Sequence, residues 1–282
     1  MNLKIISSFI ISVGILFSPG CRSAVSTAMT AQKAKPACII IYGDTQENNH
    51  IHRQLVDSMI MLNPAAVFHT GDMVMHGENE NHWKAFNTIT APLLKKTKFY
   101  PALGNHDFNS LLYFDNFELP NNEQWYSVDI GNIHFIVLDT NWHIFKHSQQ
   151  YEWLVNDLKT IKPHITFRIV VQHHPPFSSG HHRLDEKHLG DSIVPLSEKY
   201  GVDMVFSGHD HIYERLYHNN IFYIVTGGGG AVLYDKTREI PQSQVFFKKH
   251  HFCVLYPEDS RLVVKVFDKD MKLIDSFRKS KK

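Results

Sequence analysis

Short apolar runs punctuate the chain, and each of five stops at a polar residue. Residues 37–42 (ACIIIY) end at Gly43-Asp44, residues 65–69 at Gly71-Asp72, and residues 99–103 at Gly104-Asn105. Residues 166–171 end at Gln172-His173, and residues 203–206 at Ser207-Gly208-His209. Runs of this length predict strands buried on both faces, as in sheets covered by helices. Between them the period changes: Ile51, Leu55, Met59 and Leu62 recur at helical spacing across residues 48–62, and residues 149–158 read as a second amphipathic helix. Residues 125–129 and 133–138 flank Gly131-Asn132, a hairpin signal. Residues 212–265 read mostly as strand, alternating over 261–266. The pattern predicts one α/β domain over residues 37–282, with extra antiparallel strands toward the C-terminal side.

The N-terminal segment has a different pattern. After a weakly basic start, residues 5–17 are apolar apart from Ser and Gly. A membrane span needs about 20 residues, so this run fits the apolar stretch of a secretory signal instead. Ser18-Pro19-Gly20-Cys21 offers a cleavage point. Gly before Cys resembles a bacterial lipoprotein signal, which implies lipidation of Cys21, although Ser18 stands where that motif has an aliphatic residue. Cleavage near residues 24–28, or retention as an uncleaved anchor, are the alternatives. The expectation is a signal over residues 1–20, a flexible tether over 21–36, and an exported protein, periplasmic or membrane-anchored through Cys21. In an oxidising compartment Cys38 and Cys253 either pair or remain as buried thiols.

Composition adds one pointer. The 282 residues are 43% hydrophobic and 20% charged, which suits a single large core. The net charge of +1, falling to zero when residues 1–20 and their lone Lys4 are removed, provides no field for nucleic acid. The excess is in histidine: 20 residues, all between His50 and His251. Histidine is the commonest metal ligand. In α/β sheets, sites gather beyond the carboxyl ends of strands. Asp44, Asp72, Asn105, His173 and His209 follow five such ends, with His211 two residues on. Each alone is an ordinary turn or loop residue; five in register make a candidate metal site.

Gly43-Asp44, Gly71-Asp72, Gly104-Asn105-His106-Asp107, His173 and Gly208-His209-Asp210-His211, in this order, resemble the motif set of the calcineurin-like metallophosphoesterases. His173-His174-Pro175-Pro176-Phe177 and Ile212-Tyr213-Glu214-Arg215 are similar to the purple acid phosphatase branch. The resemblance implies a four-layer αββα sandwich of two mixed sheets with a dinuclear metal centre. It implies that Asp72 bridges two ions, Asp44 and His211 completing one site and Asn105, His173 and His209 the other. Carboxylate, amide and imidazole ligation suits Fe, Mn or Zn. Such a pair acidifies a water and neutralises charge during in-line displacement of a phosphate.

His106 is then a proton donor or transition-state hydrogen-bond donor; otherwise it is a loop residue held by Asp107. His181 and His182 correspond to a His-His pair that contacts phosphate in the purple enzymes, with spacing one residue shorter, so which of the two matches is open. Arg183 adds a bidentate phosphate contact. His174 reads as a loop residue or one behind the ligands. Three departures matter. The phosphate-binding Arg of the Ser/Thr protein phosphatases is missing from residues 71–77. Met75 replaces the iron-binding Tyr of the purple enzymes, which predicts a metal-loaded protein without their colour. Gln46 stands where many relatives have a histidine, and either coordinates or caps the following helix.

The first expectation is an exported phosphomonoesterase, the second a phosphodiesterase or nucleotide hydrolase on the same site, the third a non-catalytic binding module. The implied partner is a small phosphate ester; the oligomeric state is not legible. The run from Gly227 to Gly230 lacks the Lys-Ser/Thr of a P-loop and predicts close backbone packing instead. The pairs His82-Trp83, Trp142-His143 and His250-His251 are expected at the surface or rim.

Overall fold

The computed structural model describes residues 38–108 and 110–281. The predicted signal, tether and Cys21 lie outside them. Two mixed sheets stack face to face. In the first, β1 (Ile39–Tyr42), β2 (Ala66–His69) and β3 (Lys98–Pro101) run parallel, and β11 (His251–Pro257), β12 (Arg261–Asp268) and β13 (Leu273–Ser280) extend it antiparallel beyond β1. In the second, β5 (Ile133–Val137), β6 (Phe167–Val171), β7 (Met204–Ser207) and β9 (Ile221–Thr226) are parallel. β4 (Tyr126–Ile130) pairs with β5 through the predicted two-residue turn at Gly131. β8 (Tyr213–His218) and β10 (Ser243–Phe247) close the other edge.

Alternation of side chains across each strand explains the unbroken apolar runs. Ile39 and Ile41 meet Phe135, Ile169 and Phe206 of the other sheet, while Ile40 and Tyr42 of the same strand point outward. There they pack under α1 (Asn49–Leu62) and α2 (Glu80–Leu94), through Leu55, Met59, Ile89 and Leu93. The far side is covered by α4 (Gln149–Lys159) and α5 (Ile193–Lys199), through Leu154, Leu158, Ile193 and Leu196. A short α3 (Leu111–Asn116) borders a smaller aromatic cluster. This is the expected four-layer sandwich. Among the described residues no helix is long and apolar enough to cross a membrane.

The layering decides several expectations. Cys38 lies on the helix side of the first sheet and Cys253 on the inter-sheet side, so the two do not bond to each other. The Cys253 thiol faces Thr226 Oγ1 at 3.5 Å. Trp83 is core, donating to Gly77 O at 2.6 Å, and His251 is fully buried against Thr226 Oγ1; neither is a rim residue. The glycine run does pack tightly: a Cβ at Gly229 would collide with Gly43 O.

A candidate metal centre at the strand ends

Loops from both sheets meet at one edge. Asp44 follows β1, Asp72 β2, Asn105 β3, His173 β6, and His209 and His211 β7. Asp44, Asp72 and His209 take left-handed backbone angles, φ 60°, 57° and 68°. Such angles are uncommon without glycine and persist only where the surroundings impose them. Here they do. Asp44 N donates to Gly71 O (3.0 Å), Thr45 N to Asp72 O (2.9 Å), and His209 N to Asp44 Oδ1 (2.9 Å). Asp107 accepts from Met73 N, Val74 N and Gly104 N, tying the loops after β2 and β3 together. Gly71 sits at φ 99°, where a Cβ would lie 2.7 Å from His173 Nδ1.

These loops bring the predicted ligand groups together. His173 Nε2 is 2.9 Å from Asn105 Oδ1 and 3.3 Å from Asp72 Oδ2. His209 Nδ1 lies 3.0 Å from the same Asn105 oxygen and 3.2 Å from His173 Nε2. On the other side, His211 Nε2 is 3.7 Å from Asp44 Oδ1 and 3.4 Å from Gln46 Nε2. Ligand atoms about 2.0–2.2 Å from one ion stand about 3 Å from each other, which is the spacing found.

The donor set fits metal on chemical grounds as well. His173 Nδ1 points at Thr70 O (2.8 Å) and His211 Nδ1 at Val232 O (2.8 Å), so both turn Nε2 to the centre. Asp44 Oδ2 and Gln46 Oε1 are buried with no hydrogen-bond partner, an arrangement that is costly unless a cation satisfies it. Burial, with Asp72 as a like-charged neighbour, raises Asp44 well above the usual carboxylate range. His173 is pushed up to about 9: burial opposes its charge, but Asp72 and Asp44 outweigh burial. Burial lowers His211 and takes His209 down to about 4, with Glu186 opposing in the second case.

His106 stands at the mouth, partly exposed. Its backbone N donates to Asp72 Oδ1 (2.9 Å), its Nδ1 meets Met75 O (2.9 Å), and its Nε2 is 4.0 Å from Asp72 Oδ2. It is therefore oriented by Asp72 and Met75 and not by Asp107. His182 stacks on His209 with ring centroids 3.8 Å apart, its Nδ1 3.1 Å from Asp210 Oδ1. His181 is exposed and faces Tyr234 at 5.0 Å. Arg183 is exposed and makes no contact with the cluster among the described residues. The cap of α1 is Asn48, accepting from His50 N and Ile51 N, so Gln46 does not cap it and instead turns to His211.

Three contributors escaped the sequence reading. Tyr234 lies flat on His211 at 4.3 Å; Glu186 approaches His209 Nε2 at 3.0 Å; Asp210, within a motif already noted, holds the 178–182 loop through Ser178 Oγ and the backbone N of His181 and His182. Tyr234 and Glu186 sit in irregular polar segments with no periodicity to flag them. A cavity of about 340 Å³ opens beside the centre, lined by Gln46, Met73, Met75, His82 and Phe86.

A two-sheet sandwich carrying aspartate, asparagine and histidine at these strand ends has the fold and site of a metallophosphoesterase. The chain belongs to the calcineurin-like phosphoesterase family, whose model matches residues 39–213. It is 30% identical over 181 residues to purple acid phosphatase 15 of Arabidopsis thaliana, covering 55% of this chain and 34% of that protein. It is 26% identical over 260 residues to a nucleotide pyrophosphatase/phosphodiesterase of Hordeum vulgare, covering 75% of this chain and 70% of the relative. A yellow lupin purple acid phosphatase shares the fold with a TM-score of 0.78 at 21% identity, over 86% of this chain and 53% of the lupin chain. The chain thus spans about a third of the Arabidopsis protein's length.

Proposed function

We propose that this protein is a metal-dependent phosphoesterase acting on small phosphate esters, with monoesters its preferred substrates. The observation that carries this reading is the convergence of six predicted ligand groups at the strand ends, with Asp44, Asp72, His173, His209 and His211 buried and Asn105 exposed beside them. Asp72 would be shared; Asp44, His211 and the Gln46 amide oxygen would hold one ion, and Asn105, His173 and His209 the other. Bound there, the ions supply Lewis-acid polarisation of the phosphoryl group and acidify water. Gln46 contributes a neutral oxygen near the position of the missing tyrosinate, which favours a divalent ion over a ferric one.

The chain's own groups do the rest. Asn105 and His106 face an incoming phosphate, and His106, its Nδ1 held by Met75 O, presents Nε2 for donation to the leaving oxygen. His182, stacked on His209 with its Nδ1 committed to Asp210, would donate through Nε2; His181 and Arg183, both exposed, would take the substrate's remaining oxygens. A second reading, hydrolysis of a diester or pyrophosphate, is favoured by the extent of the match to the Hordeum vulgare relative and by the cavity at Met75, which has room for an ester's second substituent.

Turnover of p-nitrophenyl phosphate against its bis ester, with Mn, Fe or Zn supplied, tests the order. Faster monoester hydrolysis is expected; faster diester hydrolysis moves the second reading to first place. No turnover of either ester with every metal overturns both. We also propose that residues 1–20 direct export and that Cys21 is lipidated after cleavage. Cell fractionation should find the protein with membranes and a Cys21→Ala form released from them; a cytosolic wild-type chain refutes export.

A further inference from the structure

We propose that Glu186 is a positioning residue of the metal centre: its carboxylate accepts a hydrogen bond from His209 Nε2–H and so holds Nδ1 toward the ion. This rests on the metal-dependent reading above. The three imidazoles of the cluster are not oriented alike. His173 and His211 each spend Nδ1 on a backbone carbonyl and turn Nε2 inward. His209 is reversed, with Nδ1 beside Asn105 and His173. A neutral imidazole lending Nδ1 to a cation carries its proton on Nε2. His209 is 6% exposed, and its Nε2 has no aligned hydrogen-bond partner among the described residues. A buried N–H needs an acceptor. Glu186 Oε1, 3.0 Å away, is the one carboxylate paired with this nitrogen among the described residues.

The loop carrying Glu186 is fixed on both sides of it. Upstream, Asp210 accepts from Ser178 Oγ (2.5 Å), His181 N (2.8 Å) and His182 N (2.9 Å). Downstream, Asp185 accepts from Leu189 N (2.6 Å) and Gly190 N (3.0 Å). A second ring also aims at the carboxylate. His174 N donates to Thr140 Oγ1 (3.0 Å), whose hydroxyl then faces His174 Nδ1 (2.9 Å), leaving the His174 proton on Nε2, 3.5 Å from Glu186 Oε1. His182 stacks on His209 at a centroid distance of 3.8 Å, and His174 packs against the same ring, tilted by 52°, at 4.4 Å. Stacking limits the tilt of the ring, but an acceptor on Nε2 is what favours the Nε2–H tautomer before an ion binds and fixes the ring's rotation in its plane. A carboxylate in that place also raises the basicity of the ligand, an effect a carbonyl delivers more weakly.

Calorimetric titration of the metal-free protein with Zn(II), paired with metal content after dialysis, tests this. The wild-type chain should bind two ions. Glu186→Ala should bind one of them 10–100-fold more weakly, the range typical of partners behind a ligand, and Glu186→Gln, which keeps an oxygen but no charge, should fall between. Nitrogen-15 NMR of the zinc-loaded wild type should place the His209 proton on Nε2, with its resonance shifted in both variants. Unchanged affinity for both ions in Glu186→Ala, or a proton on Nδ1, overturns the role of Glu186 while leaving the phosphoesterase reading intact. Failure of the wild-type chain to take up metal overturns both.

Discussion

Two histidine–carboxylate clusters lie in this molecule, and they have opposite chemistry. At the strand ends, His173 and His211 each tie one ring nitrogen to a carbonyl and aim the other at Asp72 and Asp44. At the edge of the second sheet, His134 of β5 has both nitrogens committed: Nδ1 to Asp129 Oδ1 at 2.6 Å and Nε2 to Asp157 Oδ2 at 2.8 Å. Two acceptors on one ring require two protons, so His134 is an imidazolium clamp with no lone pair to lend. Residue type alone does not distinguish a metal site from an ion pair. What distinguishes them is how many ring nitrogens already have a partner: one, on a backbone carbonyl, in each of His173 and His211, and both, on carboxylates, in His134.

The largest effect that breaks this comparison comes from Asp72. Asp72→Asn removes the carboxylate placed to be shared between two ions, and with it several kcal/mol of charge stabilisation. The expected result is a fall in kcat of at least about 10³-fold, with fewer than two ions per chain by elemental analysis. Full activity in a rigorously purified variant would support a non-catalytic module and a contaminating phosphatase.

A smaller effect is expected at His106, which touches the centre without belonging to the ligand set. His106→Asn should lower kcat by about 10²–10⁴-fold, the range for a lost proton donor, and leave two ions bound. Loss of metal together with activity would instead make His106 a support for Asp72, to whose Oδ1 its backbone N already donates.

Much of this was legible before the structure because strand ends announce themselves. An apolar run buried on both faces must stop where the chain leaves the sheet, and the residue after it is delivered to a common edge. Asp44, Asp72, Asn105, His173, His209 and His211 were found that way. Glu186 and Tyr234 were not, because they ride on irregular loops whose course depends on tertiary ties such as Asp210 with His181 N and Asp185 with Leu189 N. Helix α2 escaped although Trp83, Phe86, Ile89 and Leu93 carry the right spacing, since Pro92 and intervening polar residues mask it. The environment of Trp83 and His251 was misjudged for a related reason: neighbouring charges suggest surface, but each ring points into the core.

The last prediction concerns the clamp itself. Burial disfavours charge on His134, yet the hydrogen bonds it donates to Asp157 and Asp129 outweigh burial and raise its pKa above the usual value. Ser127 Oγ donates to Asp157 (2.7 Å) and Lys162 Nζ to Asp129 (2.7 Å), so each acceptor of the clamp is itself held in place. Because the folded-state pKa is the higher one, the clamp stabilises fully below the unfolded value of about 6.5 and is lost as pH rises through the folded value. His134→Gln should therefore cost on the order of 2 kcal/mol in acid, the scale of hydrogen bonds to a charged group. The deficit should shrink as pH rises past the usual histidine range. Urea unfolding of both proteins across that interval measures it. A deficit that stays constant with pH would mean that His134 is held as a neutral ring, and that the two clusters differ less than their geometry indicates.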